Sequence, residues 1–400
     1  MAAFVRVSGP PNGHFVVGYP GLSGTLPRIE GKVEIRPSAG ISAPVNIAMV
    51  TICLQRRETI HPSADSVTKR HLAAPRKELT EIVGREMLLF RCAVGRDHED
   101  IIAMDLPFVL FFPYAKQGQN ASRQVPASLQ LPSRTAETYY ELVVMVQQGP
   151  SEQRKYAFPV PISRYDNLSN FGLYKQPRAL EKVSDHLVTM GISVPRTSFG
   201  PLDPISVVIK LSPNPDWMNK ARRVTIHKIS ISIDEEVTYN HEGDEPQRKT
   251  KSITKRIESV NMKLPEAGYI TNLGLVFPSR DLRDADGILP RGKPAFPMYA
   301  VNGFSTVATL YKIDYYLTVK AHLTSTRDIV LRQPILVCPF DHTACVQETD
   351  AINAATAAAA NINPDNPMLP LPTIIRVRDP QALKYLGVAI VGNVKKPVIE

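Results

Sequence analysis

Along most of this chain the apolar positions repeat every second residue. From Asp314 to Cys338 it reads DYYLTVKAHLTSTRDIVLRQPILVC. Tyr315, Leu317, Val319 and Ala321 fall on one side of an extended chain, and Tyr316, Thr318, Lys320 and His322 on the other. That is the alternation of a strand with one buried and one wet face. The polar turn Thr324–Ser325–Thr326 follows, and a second extended run leads to Pro334–Ile335. Thr138 to Ile162, TYYELVVMVQQGPSEQRKYAFPVPI, repeats the plan: a Tyr–Tyr, an alternating strand, a Gly/Pro/Ser turn, and a second strand ending in Pro161–Ile162. Two such hairpins, each closing about half of the chain, predict two β-domains of similar design in tandem.

The rest of the pattern fits short strands. Phe4–Val7, Phe15–Val17 and Gly31–Ile35 are separated by PPNG and YPGLSG turns. Val45–Leu54 is apolar on both sides in its second half, which predicts a central strand. Arg56 to Lys77, rich in charge, Pro and Ser, reads as a long loop. Strands resume at Glu81–Arg91 and Ile101–Phe112, and a polar linker from Pro113 to Ser133 leads to the first Tyr–Tyr hairpin. Leu180 to Met190 reads as one or two helical turns or an extended connector, and a domain boundary is expected near residue 178. In the second half, Ile205–Leu211, Val224–Ile233, Asn272–Phe277 and Ala300–Thr309 read as strands. The apolar side switches within Val224–Ile233, which predicts a bulge. DEEVTYNHEGDEPQRKTK reads as a charged hairpin tip. Ala351 to Asn361 has the propensity for a few helical turns, NPDNPMLPLP is an extended spacer, and Thr373–Val391 is expected to pack on the body or on a partner. The expected division is 1–178 and 179–346 for the two β-domains, with 347–400 as a tail.

Composition narrows the class. Four hundred residues with 43% hydrophobic positions are enough for two cores, since one core rarely grows beyond ~250–300 residues. Thirty-five Pro and 22 Gly disfavour continuous helix. The apolar runs are too short for a membrane span of ~20 residues, and MAAFVRVSGPPNG lacks the apolar core of a secretory signal. Cys53, Cys92, Cys338 and Cys345 show no repeated close spacing, as expected of reduced thiols in a cytosolic protein. The net charge of +9 suits acidic partners or an anionic membrane surface but is too diffuse to point to nucleic acid.

Several stretches resemble the arrestin family. They are PVPISRYDNLSNFG (Pro159–Gly172), SVPRTSFGPLDPISVVIKL (Ser193–Leu211), KIDYYLTVKAHL (Lys312–Leu323) with LRQPILV after it, and LSGTLPRIEGKVEIRPSAGI followed by VNIAMVTICL. The similarity covers roughly residues 1 to 346 and is closest to the fungal α-arrestin group. It implies an all-β protein of two tandem immunoglobulin-like antiparallel sandwiches. It also implies a cytosolic adaptor that binds the cytoplasmic tails of membrane proteins and connects them, through a HECT ubiquitin ligase, to endocytosis. Relatives that recruit such ligases usually carry PPxY, which fills a WW-domain groove. The one Pro–Pro here, Pro10–Pro11, is followed by Asn12–Gly13, so ligase recruitment is expected to be indirect.

The sharpest charge cluster is RKTKSITKR, with Arg248, Lys249, Lys251, Lys255 and Arg256. Basic residues near an anionic surface contribute ~1 kcal/mol each, and Arg grips phosphate in bidentate fashion. The cluster is therefore a candidate contact for anionic lipid headgroups or a phosphorylated cargo tail. Thr250, Ser252 and Thr254 within it are candidate phosphorylation sites. The competing reading is a solvated loop whose acidic residues, Asp234–Glu236 and Asp244–Glu245, neutralise the basic ones. CPFDHTAC (Cys338–Cys345) is a poor match to zinc spacings and reads as a strand end with ordinary thiols.

No nucleophile, P-loop, dinucleotide or H-E-x-x-H motif is present. Asp97–His98–Glu99 and Asp185–His186 are isolated pairs, and Asp281, Asp284 and Asp286 lack the Glu of a calcium loop. No catalytic, metal or cofactor residues are expected. Two alternatives to the adaptor remain open: a retromer-like coat subunit on the same fold, and a β-sandwich enzyme or small-ligand binder, which predicts a deep pocket with converging polar groups.

Overall fold

A computed structural model describes residues 3–9, 15–37, 44–62, 76–113, 125–149, 152–282, 296–377 and 379, and the backbone of 388–391 and 394–397. The first ten strands are Ala3–Ser8 (β1), Val16–Val17 (β2), Arg28–Pro37 (β3), Val45–Ile47 (β4), Met49–Ile60 (β5), Lys77–Arg91 (β6), Glu99–Phe111 (β7), Leu129–Gln130 (β8), Ala136–Gln148 (β9) and Glu152–Pro159 (β10). They form two antiparallel sheets. One has the order β1-β3-β7 with β2 and β4 attached, and the other β10-β9-β5-β6 with β8 attached. Ile29, Val33, Ile35 and Phe108 of the first sheet meet Val50, Ile52, Tyr140 and Val144 of the second in one core.

The next ten strands are Arg178–Ser184 (β11), Val188–Val194 (β12), Ser198–Phe199 (β13), Pro204–Pro213 (β14), Thr225–Tyr239 (β15), Gln247–Lys263 (β16), Tyr269–Val276 (β17), Thr306–Val307 (β18), Tyr311–Thr324 (β19) and Ile329–Val337 (β20). One sheet runs β11-β12-β14-β17, and the other β13-β20-β19-β15-β16 with β18 attached. Their facing side chains close a second core, which includes Met190, Ile209, Ile231, Tyr315 and Val319. Ile60, Ala127, Leu129, Leu131 and Ala136 from the first half also pack into it, so the two halves share apolar contact. This is an all-β chain of two sandwiches. A four-residue helix, Met218–Ala221 (α1), precedes β15, and the long helix His342–Ala359 (α2) follows β20.

Several sequence expectations need correction. Val45–Leu54 is not one strand: the buried set shifts from Val45 and Ile47 to Val50, Ile52 and Leu54. The chain crosses from the first sheet to the second at Ala48, which bonds Gln147 and Cys92 through its backbone. The strand then continues to Ile60, so Arg56 to Ile60 are strand and not loop. Their charges are compatible with burial because Arg56 pairs with Glu58 and Glu81. The rest of that expected loop, residues 63–75, lies outside the described residues. Leu180–Met190 forms no helix. It is the hairpin of β11 and β12, reversed through the three residues 185–187, with Asp185 and His186 at φ 46° and 57°, the left-handed region that tight hairpin turns use. Ala300–Thr309 contains only the two-residue strand β18.

The expected bulge in the Val224 strand is present as a register shift between Ile226 and Lys228, after which Ile229, Ile231 and Ile233 face the core. The charged hairpin tip is far shorter than expected. Asp234 to Tyr239 and Gln247 onward are strand, because Ile233, Val237 and Tyr239 keep the alternation of buried positions going.

After β20 the chain docks back on the body. Asp341 caps α2 by accepting from Ala344 N at 2.8 Å, so the helix starts well before the Ala-rich run. It buries Cys345, Ile352 and Ala359, the first two in a small cluster with Leu168 and Cys338. Beyond the proline-rich segment, Thr373–Arg376 (β21) adds to the edge of the first sheet beside β7. The far end of the apolar run pairs as a separate hairpin, Val388–Val391 with Val394–Pro397.

Candidate functional site

Among the described residues, β16 is the outermost strand of its sheet and bonds to β15 alone. It carries all five candidate basic residues, and all five are exposed. The register places Lys249 opposite Val237, Lys251 opposite Glu235 and Arg256 opposite Ile231. Side chains opposite one another share a face, so these three lie on the side of the sheet that carries the core residues. Arg248, opposite Thr238, and Lys255, opposite Ser232, lie on the other side. A second register shift between Ile233 and Asp234 leaves Ile253 without a partner. This bulge is why Arg248 and Lys255, an odd number of residues apart, share a face.

Three of the hairpin's acids, Asp234, Glu235 and Glu236, are engaged elsewhere. Glu235 accepts from the Tyr315 hydroxyl at 2.6 Å, and Asp234 from Thr318 Oγ1 at 2.6 Å. Glu236 is bound by Arg332 at 3.3 Å. All three turn towards β19 and β20, away from β16. Among the described residues, no ion pair involves any of the five basic side chains. Arg256 donates to the Gly274 carbonyl at 3.2 Å. Lys249 donates to the Pro62 carbonyl of the first half and lies 5.6 Å from the centre of the Tyr239 ring. On β16 the one acid is Glu258, which accepts from Tyr269 and Thr271.

The upper end of β16 meets a polar seam between the halves. Glu58 is fully buried and accepts from Leu310 N at 2.9 Å. Burial pushes its carboxyl above the ordinary range, against the opposing charge of Arg56. Arg56 also donates to Thr309 at 3.0 Å, and Lys77 to Asn240 at 3.1 Å. The Arg56-x-Glu58 spacing puts both charges on one face of a strand. That signal was readable in the sequence; its burial between two domains was not.

Two of the other candidates, Glu99 and Asp185, have structural roles. Glu99 is 7% exposed and binds Arg376 of β21 at 2.6 Å. Asp185 holds the Thr326–Arg327 backbone and hydroxyl. Asp281 is described, while Asp284 and Asp286 are not. Cys338 and Cys345 are fully buried with their sulfurs 3.7 Å apart. The hydrogen bond between them holds Cys345 down to about 7 and, with burial, pushes Cys338 up. Among the described residues, no group of three or more His, Cys, Asp or Glu side chains is placed to hold a metal ion.

A groove of about 770 Å³ lies between the outer side of β3 and β7 and residues 361–373. Its charged lining is already committed: Arg28 to Glu30, and Lys32 to Asp105. It offers an apolar wall of Val109, Phe111 and Pro367, with Asn361, Asn363 and Asn366 along the tail side.

Residues 184–341 match the family model for the C-terminal domain of arrestin, also called S-antigen. The second half of the chain is therefore arrestin-like, and β16 lies wholly inside the matched region. Comparison with curated proteins found no match. No helix among the described residues is long and apolar enough to cross a membrane.

Proposed function

We propose that this chain is a non-enzymatic adaptor that binds the cytoplasmic tails of membrane proteins, transporters or receptors, and links them to ubiquitination and endocytic sorting. It works in the cytoplasm and is recruited peripherally to the plasma membrane or endosomes. The observation that carries this reading is the arrestin C-domain match over residues 184–341, in a two-sandwich chain whose matched half exposes an uncompensated basic strand. Fold likeness supplies the class of function. The strand supplies a surface with chemistry for anionic groups on cargo or in lipid headgroups.

A HECT ubiquitin ligase would be reached through a partner, since no PPxY occurs in the sequence. Weak contacts to cargo, ligase partner and membrane add by raising effective concentration. Proximity labelling in cells under a nutrient shift tests the reading. Membrane transporters or receptors together with ubiquitin-ligase components are expected. Recovery of a fixed stoichiometric set of coat subunits would favour the retromer-like alternative. Recovery of neither would remove the adaptor reading.

A further inference from the structure

We propose that β16 is an acceptor edge: an extended acidic peptide pairs with it through the backbone and continues the sheet as an added strand. This rests on the adaptor reading and names the partner chemistry and binding mode of the same surface.

The backbone comes first. β16 spans 17 residues, roughly 55 Å of strand at 3.3 Å per residue. β15 takes one row of its peptide groups. Among the described residues, the other row has no strand beside it. An unpaired row of this kind is a template for strand addition.

The charges come second. Lys249, Lys251 and Arg256 lie on one side of the sheet, Arg248 and Lys255 on the other, so positive charge straddles the strand edge. A flat bilayer presses on one plane and engages one of these rows well. An added strand presents successive side chains to opposite faces, so neighbouring acidic residues meet basic ones on both. The geometry favours an extended peptide over a lipid surface.

Specificity follows from the same residues. Lysines along an edge repel a second copy of that edge and other basic strands. Three of the hairpin's acids, Asp234, Glu235 and Glu236, are held by Thr318, Tyr315 and Arg332. The edge is closed to self-pairing and open to acidic sequence.

The test uses the full chain and a fluorescent ten-residue peptide of alternating Asp and Glu. Two further versions carry N-methyl groups on alternate residues, which leaves one edge of the peptide able to donate, or on every residue, which leaves neither. N-methylation removes backbone donors and keeps every charge. The plain and the alternately methylated peptides are expected to bind, and the fully methylated one to lose at least tenfold in affinity. The triple variant Lys249→Glu, Lys251→Glu, Lys255→Glu should lose at least tenfold, with its thermal transition checked against the parent. Amides of residues 248–256 should gain protection from hydrogen exchange.

Equal binding of all three peptides overturns strand addition. So does absence of peptide binding alongside capture of phosphatidylserine vesicles. The methylated peptides leave the protein unaltered, so the result does not depend on whether the variant folds. Peptide binding in vitro with no membrane-protein partners in cells would count against the adaptor reading alone. Cargo capture without peptide binding would count against strand addition alone.

Discussion

The hydroxyls of Thr138 and Tyr311 lie 2.8 Å apart, and neither residue is exposed to solvent. They join β9 of the first half to β19 of the second, 173 positions along the chain. Together they form part of the surface on which the halves meet.

Removing either hydroxyl leaves the other buried without its partner, a loss of about 1–3 kcal/mol. Thr138→Val and Tyr311→Phe are each expected to lower stability in chemical denaturation. The double variant should lose clearly less than the two single losses added. Strict additivity would show that the pair contributes nothing.

Glu58 gives a pH signature. Burial raises its carboxyl in the folded chain, so the folded state holds this proton more tightly than the unfolded state. Its favourable contribution is complete below the ordinary carboxylate range and is lost as pH rises through the folded value. Glu58→Gln keeps an acceptor for Leu310 N and does not titrate. The stability of the parent minus that of Glu58→Gln should therefore fall between mildly acidic and neutral pH. A flat difference would mean that Glu58 is no more buried than an ordinary surface acid.

The tail latch titrates with the opposite sign. Burial pushes the Glu99 carboxyl up, but hydrogen bonds from Arg376 and the Ala93 backbone, with the charge of Arg376, outweigh it and hold Glu99 low. Its contribution is present above the ordinary carboxylate range and is lost as pH falls through the folded value. Arg376→Ala leaves Glu99 buried without its cation. Since Arg376 is 48% exposed, a loss of about 1 kcal/mol is expected. Hydrogen exchange should quicken at Thr373–Arg376 and along β7, and stay unchanged in β15 and β19. Unchanged exchange at β21 would show that the salt bridge does not hold the tail.

Gly200 has no room for a side chain. A Cβ there would collide with the Phe340 carbonyl oxygen, whereas one at Gly172 would meet nothing within 4 Å. Gly200→Ala is expected to cost about 1–3 kcal/mol through forced backbone movement. Gly172→Ala should lie within ~0.5 kcal/mol of the parent, as surface changes usually do. Thermal unfolding of the two variants side by side decides it.

Thiol reactivity should single out Cys92. It is half-buried, whereas Cys53, Cys338 and Cys345 are buried. A native-state titration with an aromatic disulfide reagent should show one fast thiol, and Cys92→Ser should abolish that phase. Fast reaction of Cys338 or Cys345 would mean that α2 opens readily from the body.

Period-two alternation is a local property, and it carried the strands. Tyr315, Leu317, Val319 and Ala321 are buried as the pattern demands, because successive side chains of an extended chain must point to opposite faces whatever lies beyond them. Charge misled where its partner was distant in sequence. Arg56 and Glu58 read as loop because nothing nearby showed that Thr309 and Leu310, some 250 residues on, would meet them.

The sequence alone determined that this is a chain of alternating strands in two similar halves, with five basic residues close together on one segment. Only the tertiary structure decided that this segment is an outermost strand, that a bulge divides its charges between two faces, and that its acidic neighbours turn away towards Tyr315, Thr318 and Arg332. The physical reason is that side-chain direction follows from two neighbouring peptide bonds. Which strands lie side by side, and so which charges stay uncompensated, depends on contacts between residues dozens to hundreds apart.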